Sequence, residues 1–264
     1  TTLNGEGLQH QDGHSHVLAS TIPNCVSYDP AFAYELAIIV QDGLRRMYEK
    51  MESVFYYITT MNENYIQPEM PAKCEADIIK GMYLLEDGAS EEYKTKTKKE
   101  VRVRLLGSGT ILREVRKAAA VLRVDYNVLV DVWSVTSFNE LRKEALAVTR
   151  ENMLNPARKQ RLPFVTQALS TQQGPVIAAT DYMKSYANQV RAYVPAAYRV
   201  LGTDGFGRSD SREKLRHFFE VDSKFVVLAA LTELKSGKLI SSKQITDFMT
   251  QNGIKKDKVN PITQ

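Results

Sequence analysis

With 264 residues, 43% of them hydrophobic and 25% charged, the chain has the composition of a soluble globular protein, and wholesale disorder is excluded. It is long enough for one large domain or two. Its 35 basic and 31 acidic residues are mixed along the chain and leave a net charge of only +4, a small excess and not a basic face, so no nucleic-acid partner is implied.

The chain opens on "TTLNGEG", without a methionine, and reads as a piece of something longer. Residues 1–16 are glycine-rich and broken by Asn4 and by the Asp12-Gly13 turn, which places His10, His14 and His16 on a loop. Asp29 followed by Pro30 reads as an N-cap and first helical position, with Phe32, Leu36, Ile39 and Leu44 supplying the apolar face. A strand from Val54 to Thr60 follows, then a proline-bearing linker with a short helix. "MYLLE" and "VRVRLLG" read as two antiparallel edge strands joined by a charged flap at 87–100, a solvated loop in preference to a basic docking patch.

Beyond residue 101 the rhythm is strand, helix, strand, helix. "TILREVRKAAAVLRV" carries Leu112, Val115, Ala119 and Leu122 on one helical face, and "VLVDVWSV" is a buried strand. "SFNELRKEALAVTRENML" is a helix, and "PVIAATD" and "YRVLGTD" are two more strands. The end is helical: Asp210 with Glu213 reads as a capping box, "DSKFVVLAALTELKSG" runs to a glycine, and Ser241 with Gln244 caps the last helix. The fold class is therefore α/β, a mostly parallel sheet covered by helices. No apolar run reaches the ~18 residues of a membrane span and no leader opens the chain, so no membrane association is expected. The only cysteines, Cys25 and Cys74, form no CxxC pair, which fits a reducing cytoplasm.

Three imidazoles in one short loop point to a metal, to proton transfer, or to nothing beyond composition. Zinc at His10, His14 and His16 is disfavoured, because glycine breaks the helix their spacing needs and neither HExxH nor a cysteine pair completes a set. "LGSGT", 106–110, lies where a phosphate loop would, but Leu112 takes the place of the third glycine and no Walker lysine follows, so a tight turn is the better reading. "GTDGFGRSDSRE", 202–213, follows the last strand and reads equally as an anion site or a structural turn.

The blocks "LNGEGLQHQDGHSH", "YYITTMNENY", "DVWSVTSFNEL", "TDYMK" and "YRVLGTDGFGRSDSREKLRHFFEVD" resemble, in order and from end to end, the homodimeric bacterial pyruvate dehydrogenases, relatives of the transketolases. The resemblance implies the end of a pyrimidine-binding α/β domain at 1–75, then a transketolase C-terminal-like domain at 76–264 with one antiparallel edge strand. It implies thiamin diphosphate and Mg2+ in the complete enzyme. The GDG motif that binds Mg2+ in that family and the glutamate that activates the aminopyrimidine are absent from these residues, so this chain alone is expected to be inactive and to bind neither group.

In that family the thiazolium carbanion adds to pyruvate, CO2 leaves, and the two-carbon unit passes to a lipoyl group. The protein supplies charge stabilisation and proton transfer, for which imidazole is suited. By the same resemblance His10 faces the reaction intermediate as the catalytic residue. Asp12 and His16 match the transketolase pattern E-D-G-x-x-H that lines the substrate channel, with Gln11 in place of the glutamate. Asn62 stands where transketolases carry the arginine of S-R-Q-N, which holds a sugar phosphate that pyruvate lacks. His14 is read as a surface or supporting residue and His217 as structural. The implied partners are a second copy in a homodimer, the remaining domains of the subunit, pyruvate and the lipoyl domain of dihydrolipoyl acetyltransferase. The competing readings are a non-catalytic dimerisation module and a transketolase, the latter opposed by "TDGFGRSDSRE" and Asn62.

Overall fold

A computed structural model describes residues 10–90 and 101–264; part of the proposed flap and the first nine residues lie outside the described residues. The chain begins with a short helix α1 (Ser15–Ala19), which leads into strand β1 (Cys25–Tyr28). Asp12 starts α1 by accepting from the backbone N–H of His14 at 3.0 Å and of Ser15 at 2.9 Å. The histidines expected on one loop are thus split: His14 stands at the N-cap, and His16 lies inside the helix and is buried.

Helix α2 (Ala33–Leu44) crosses over from β1 to the parallel strand β2 (Phe55–Ile58), with Tyr28 opposite Ile58. It does not start at Pro30 as the sequence predicts. The Glu35 carboxylate, three residues into the helix, accepts from the N–H groups of Ala31 and Phe32 at 2.6 and 3.1 Å and so satisfies donors just ahead of Ala33. The expected apolar face is also corrected, because Leu44 is exposed while Glu35, Asp42 and Gly43 are buried with Ile39.

Helix α3 (Glu75–Lys80) ends at Gly81, whose φ of +113° is the left-handed conformation that stops a helix. Then come β3 (Met82–Glu86), β4 (Arg102–Gly107), α4 (Ile111–Tyr126), β5 (Leu129–Val135), α5 (Phe138–Leu154), α6 (Phe164–Ser170), β6 (Val176–Ala179), α7 (Lys184–Asn188), β7 (Tyr198–Leu201), α8 (Arg212–Phe218), α9 (Ser223–Ser236) and α10 (Ser242–Gln251). Among the described residues the larger sheet has the order β3-β5-β4-β6-β7, with β3 antiparallel and the others parallel.

One antiparallel edge strand is present as expected, but the hairpin is not: β5 separates β3 from β4. The physical reason is burial. In β4, Val103 and Leu105 enter the core on one side of the sheet and Leu106 enters the core on the other, so β4 needs a neighbour on both edges and a layer on both faces. On α4, Leu112, Val115, Ala119 and Leu122 are fully buried against that sheet, as their spacing predicts. Ser241 and Gln244 form the reciprocal cap of α10, and Asp222 caps α9. Helix α8 is capped by Ser211 and not by Asp210, because the Ser211 backbone is extended and its hydroxyl reaches the Lys214 N–H.

Candidate functional site

The carboxyl ends of the parallel strands point toward one cleft of about 530 Å3. Asp29 comes from the end of β1, Thr59 to Asn62 follow β2, and Thr110 opens α4. Asp181 and Tyr182 follow β6, and Thr203, Gly205 and Gly207 follow β7. His10, Gln11, Asp12, Gly13 and His14 close the cleft from the chain start. The Met183 N–H seats this loop by donating to the Gly13 carbonyl at 2.9 Å, and beneath it the Thr203 hydroxyl ties the segments after β7 and β6 by donating to the Asp181 carbonyl at 2.7 Å.

Of the residues named from the sequence, His10, Asp12 and Asn62 line the cleft together, with His14 beside them. His16 does not reach the cleft surface. Its ring lies behind the lining, stacked on Tyr186 at 4.9 Å and edge-on to Tyr182 at 4.6 Å. Burial lowers its pKa to about 4, against a smaller pull upward from Asp12. Asp12 itself is held below the usual carboxylate range: burial would raise it, but the donors of Ser15 and His14 outweigh that.

From His16, behind the lining, a chain of polar groups runs through Thr59 to Asp29 in the cleft wall. The Thr59 hydroxyl donates to Asp29 Oδ1 at 2.8 Å and stands 3.0 Å from His16 Nε2. While Asp29 is ionised and accepts the hydroxyl's one proton, Nε2 is the nitrogen that carries the imidazole proton and donates to Thr59. Nδ1 then has no partner among the described residues. Burial raises the Asp29 carboxyl to about 7, helped by Asp181 and Glu35 and opposed by the Thr59 hydroxyl. Asp29 is the site residue that sequence reasoning misses, because the following proline makes it look like a helix cap. Asp181, at the carboxyl end of a parallel strand, carries a positional signal that could have found it.

The glycine-rich turns divide into two kinds. At Gly109, with φ +49°, an added Cβ would stand 2.5 Å from the Asp29 carboxylate, so the "LGSGT" turn packs against a carboxylate and offers no open phosphate cradle. In the 202–213 block, Gly205 and Gly207 line the cleft, and a side chain at Gly207 would collide with Gln11. His217 ties α8 to the cap of α9 through Asp222 at 2.9 Å, away from the cleft lining. Among the described residues no three or more His, Cys, Asp or Glu side chains converge as metal ligands, and no helix is long and apolar enough to cross a membrane.

A mostly parallel sheet with one antiparallel edge, and a cleft at its strand ends, is the architecture of the transketolase C-terminal domain joined to a smaller α/β unit. The transketolase-like TK C-terminal domain family matches residues 81–222, and the chain belongs to that family. The pyruvate dehydrogenase E1 component middle domain matches residues 1–68.

The particular relatives are pyruvate dehydrogenase E1 components. That of Pseudomonas aeruginosa is 57% identical over 99% of this chain, and that of Escherichia coli K12 is 56% identical over 99%. The chain spans 29% and 28% of their respective lengths. Among solved structures, a Pichia stipitis transketolase mutant in complex with xylulose-5-phosphate superposes with a TM-score of 0.61 at 16% identity, covering 91% of this chain and 31% of that one. A Campylobacter jejuni transketolase gives 0.56 at 17% identity over 87% of this chain and 29% of that one. These two likenesses establish the fold.

Proposed function

We propose that this chain forms the substrate side of a pyruvate dehydrogenase E1 component, which decarboxylates pyruvate with thiamin diphosphate and passes the acetyl unit to lipoyl groups. The observation that carries this reading is the meeting of His10, Asp12 and Asn62 on one cleft at the strand ends, in a chain 57% identical to such an enzyme. His10 is the catalytic residue: exposed at the rim of the cleft, its imidazole can donate a hydrogen bond to a developing alkoxide. Asp12 fixes the loop that presents it, and Asn62 offers a short neutral polar contact in place of a guanidinium. His16 belongs to the channel through Thr59, which it holds in place from behind.

Thiamin diphosphate, with Mg2+, is the cofactor of the complete enzyme and would supply the carbanion chemistry there. Residues 1–75 are the end of the pyrimidine-binding middle domain and 76–264 the C-terminal domain; the two matched ranges fall either side of that boundary. The enzyme works as a cytoplasmic homodimer, with the lipoyl domain of dihydrolipoyl acetyltransferase as acceptor. Exposed Val40, Leu44, Tyr48 and Met51, on α2 and just beyond it, favour an additional role in assembly.

In the full-length enzyme His10→Ala is expected to lower the rate of pyruvate decarboxylation or reductive acetylation by about 10²-fold, and His14→Ala to do much less. Steady-state and single-turnover kinetics check this. Equal losses at the two positions would show that the assignment within the loop is wrong.

A further inference from the structure

The segment that follows β2 carries Asn62 into the cleft wall, and the next residue, Glu63, turns inward to a charged cluster. Glu63 Oε2 lies 2.6 Å from Arg216 Nη2 and accepts from the Thr110 hydroxyl at 3.0 Å, while Oε1 lies 2.5 Å from Arg113 Nη1. Arg216 also donates to Thr110 at 3.1 Å and stands 3.7 Å from Glu114, whose other oxygen accepts from the Ser223 N–H at 3.0 Å. The Arg216 side chain is only 6% exposed and that of Glu63 15%. One turn earlier on α8, Arg212 donates to Asn62 Oδ1 at 3.0 Å. Arginines spaced i and i+4 on a helix share a face, so α8 grips two consecutive residues of the cleft wall.

A buried ion pair adds little net stability, since desolvation offsets the attraction. What it does supply is geometry. Both Glu63 oxygens are engaged and a guanidinium fork has a fixed plane, so the carboxylate cannot pivot. Burial alone would raise the Glu63 pKa, but Arg216, Arg113 and Thr110 outweigh it and hold it near 2, so the anchor stays ionised at any working pH.

We propose that Glu63 and Arg216 are a positioning pair, which sets Asn62 at the cleft by locking the segment after β2 to α8 and touches no substrate itself. This rests on the reading of Asn62 as a residue of the substrate path.

The test uses the full-length enzyme with Glu63→Gln, Arg216→Lys, Asn62→Ala and the double variant Asn62→Ala/Glu63→Gln, measuring KM for pyruvate, kcat and thermal unfolding. Glu63→Gln and Arg216→Lys are each expected to raise KM roughly tenfold, the scale of a misplaced contact, with kcat within about twofold. Glu63→Gln is also expected to lower Tm, because it leaves the buried Arg216 guanidinium short of a carboxylate, whereas Arg216→Lys keeps the charge and separates the KM effect from stability. The double variant is expected to be no worse than Asn62→Ala, because the pair acts through that residue. Wild-type KM for Glu63→Gln and Arg216→Lys, beside a raised KM for Asn62→Ala, would overturn the pair and leave the reading of Asn62 standing. A wild-type KM for Asn62→Ala would remove Asn62 from the path and overturn both. Lower Tm with unchanged KM would reduce the pair to a structural contact and overturn the proposal.

Discussion

Burial pushes the pKa of Asp29 up and that of His16 down, in each case against the charged form, and the Thr59 hydroxyl joins the two. Their effects on stability run in opposite directions with pH. His16, lowered to about 4, costs stability as pH falls from its unfolded value of 6.5 toward 4, because the unfolded chain takes up the proton first. Asp29 is raised from 3.8 to about 7, so its contribution is full below about pH 4 and is lost as pH rises through 7, at on the order of 1 kcal/mol per pH unit. Asn is the same shape, stays neutral, and can still accept from Thr59. Asp29→Asn is therefore expected to raise the Tm of this chain more at pH 8 than at pH 5. Parallel Tm-pH curves for the two proteins would show that Asp29 does not titrate between folded and unfolded states.

At the level of elements, the ends of helices decide the register of the strands they lead into. Gly81 ends α3 with a left-handed φ, its carbonyl accepts from the Ser137 N–H at 3.0 Å, and β3 starts at the next residue. A Cβ at that position would stand 2.5 Å from the Ser137 carbonyl oxygen and 2.9 Å from Leu141. Backbone strain alone is about 1–2 kcal/mol, and the collision is with main chain, which cannot rotate away. Gly81→Ala is expected to lower the unfolding free energy by at least that amount, read as a lower urea midpoint with the m-value unchanged. An unchanged midpoint would mean that α3 and β3 shift freely against α5. Helix α2 teaches the complementary lesson: a good N-terminal signal at Asp29-Pro30 loses to Glu35, whose carboxylate also accepts from Tyr83 and Ser134, each at 2.6 Å.

Across the whole molecule, the small β1–β2 unit is stitched to the large sheet by buried polar contacts. Asn139 donates to Ser27 Oγ at 2.6 Å and to the His16 carbonyl at 2.8 Å, and Ser137 donates to the Ser27 carbonyl at 2.6 Å. The Asp29 N–H donates to the Thr136 carbonyl at 2.8 Å, and Glu35 reaches β3 and β5. Each such group would be costly to leave unpaired. The two sheets are therefore expected to open together, with amides of 25–28 exchanging as slowly as those of 129–135. Asn139→Ala is expected to speed exchange at 25–28 more than at 129–135. Equal acceleration of both, or none, would show that Asn139 does not couple them.

The amino-acid sequence alone determined whatever depends on neighbours along the chain. The spacing of Leu112, Val115, Ala119 and Leu122 specifies the buried face of α4, Ser241 with Gln244 specifies the start of α10, and the strand–helix alternation beyond residue 101 specifies a parallel α/β sheet. Residue blocks in family order also pointed to the family. Tertiary structure alone decided whatever depends on partners distant in sequence. It placed β5 between β3 and β4, buried His16 behind the cleft, turned Asp29 from a helix cap into a cleft residue, and paired Glu63 with Arg216 across 153 positions. Period and capping are local, written within one or two helical turns. The burial of a carboxylate or an imidazole, by contrast, depends on which faces pack against it, and no local pattern encodes that.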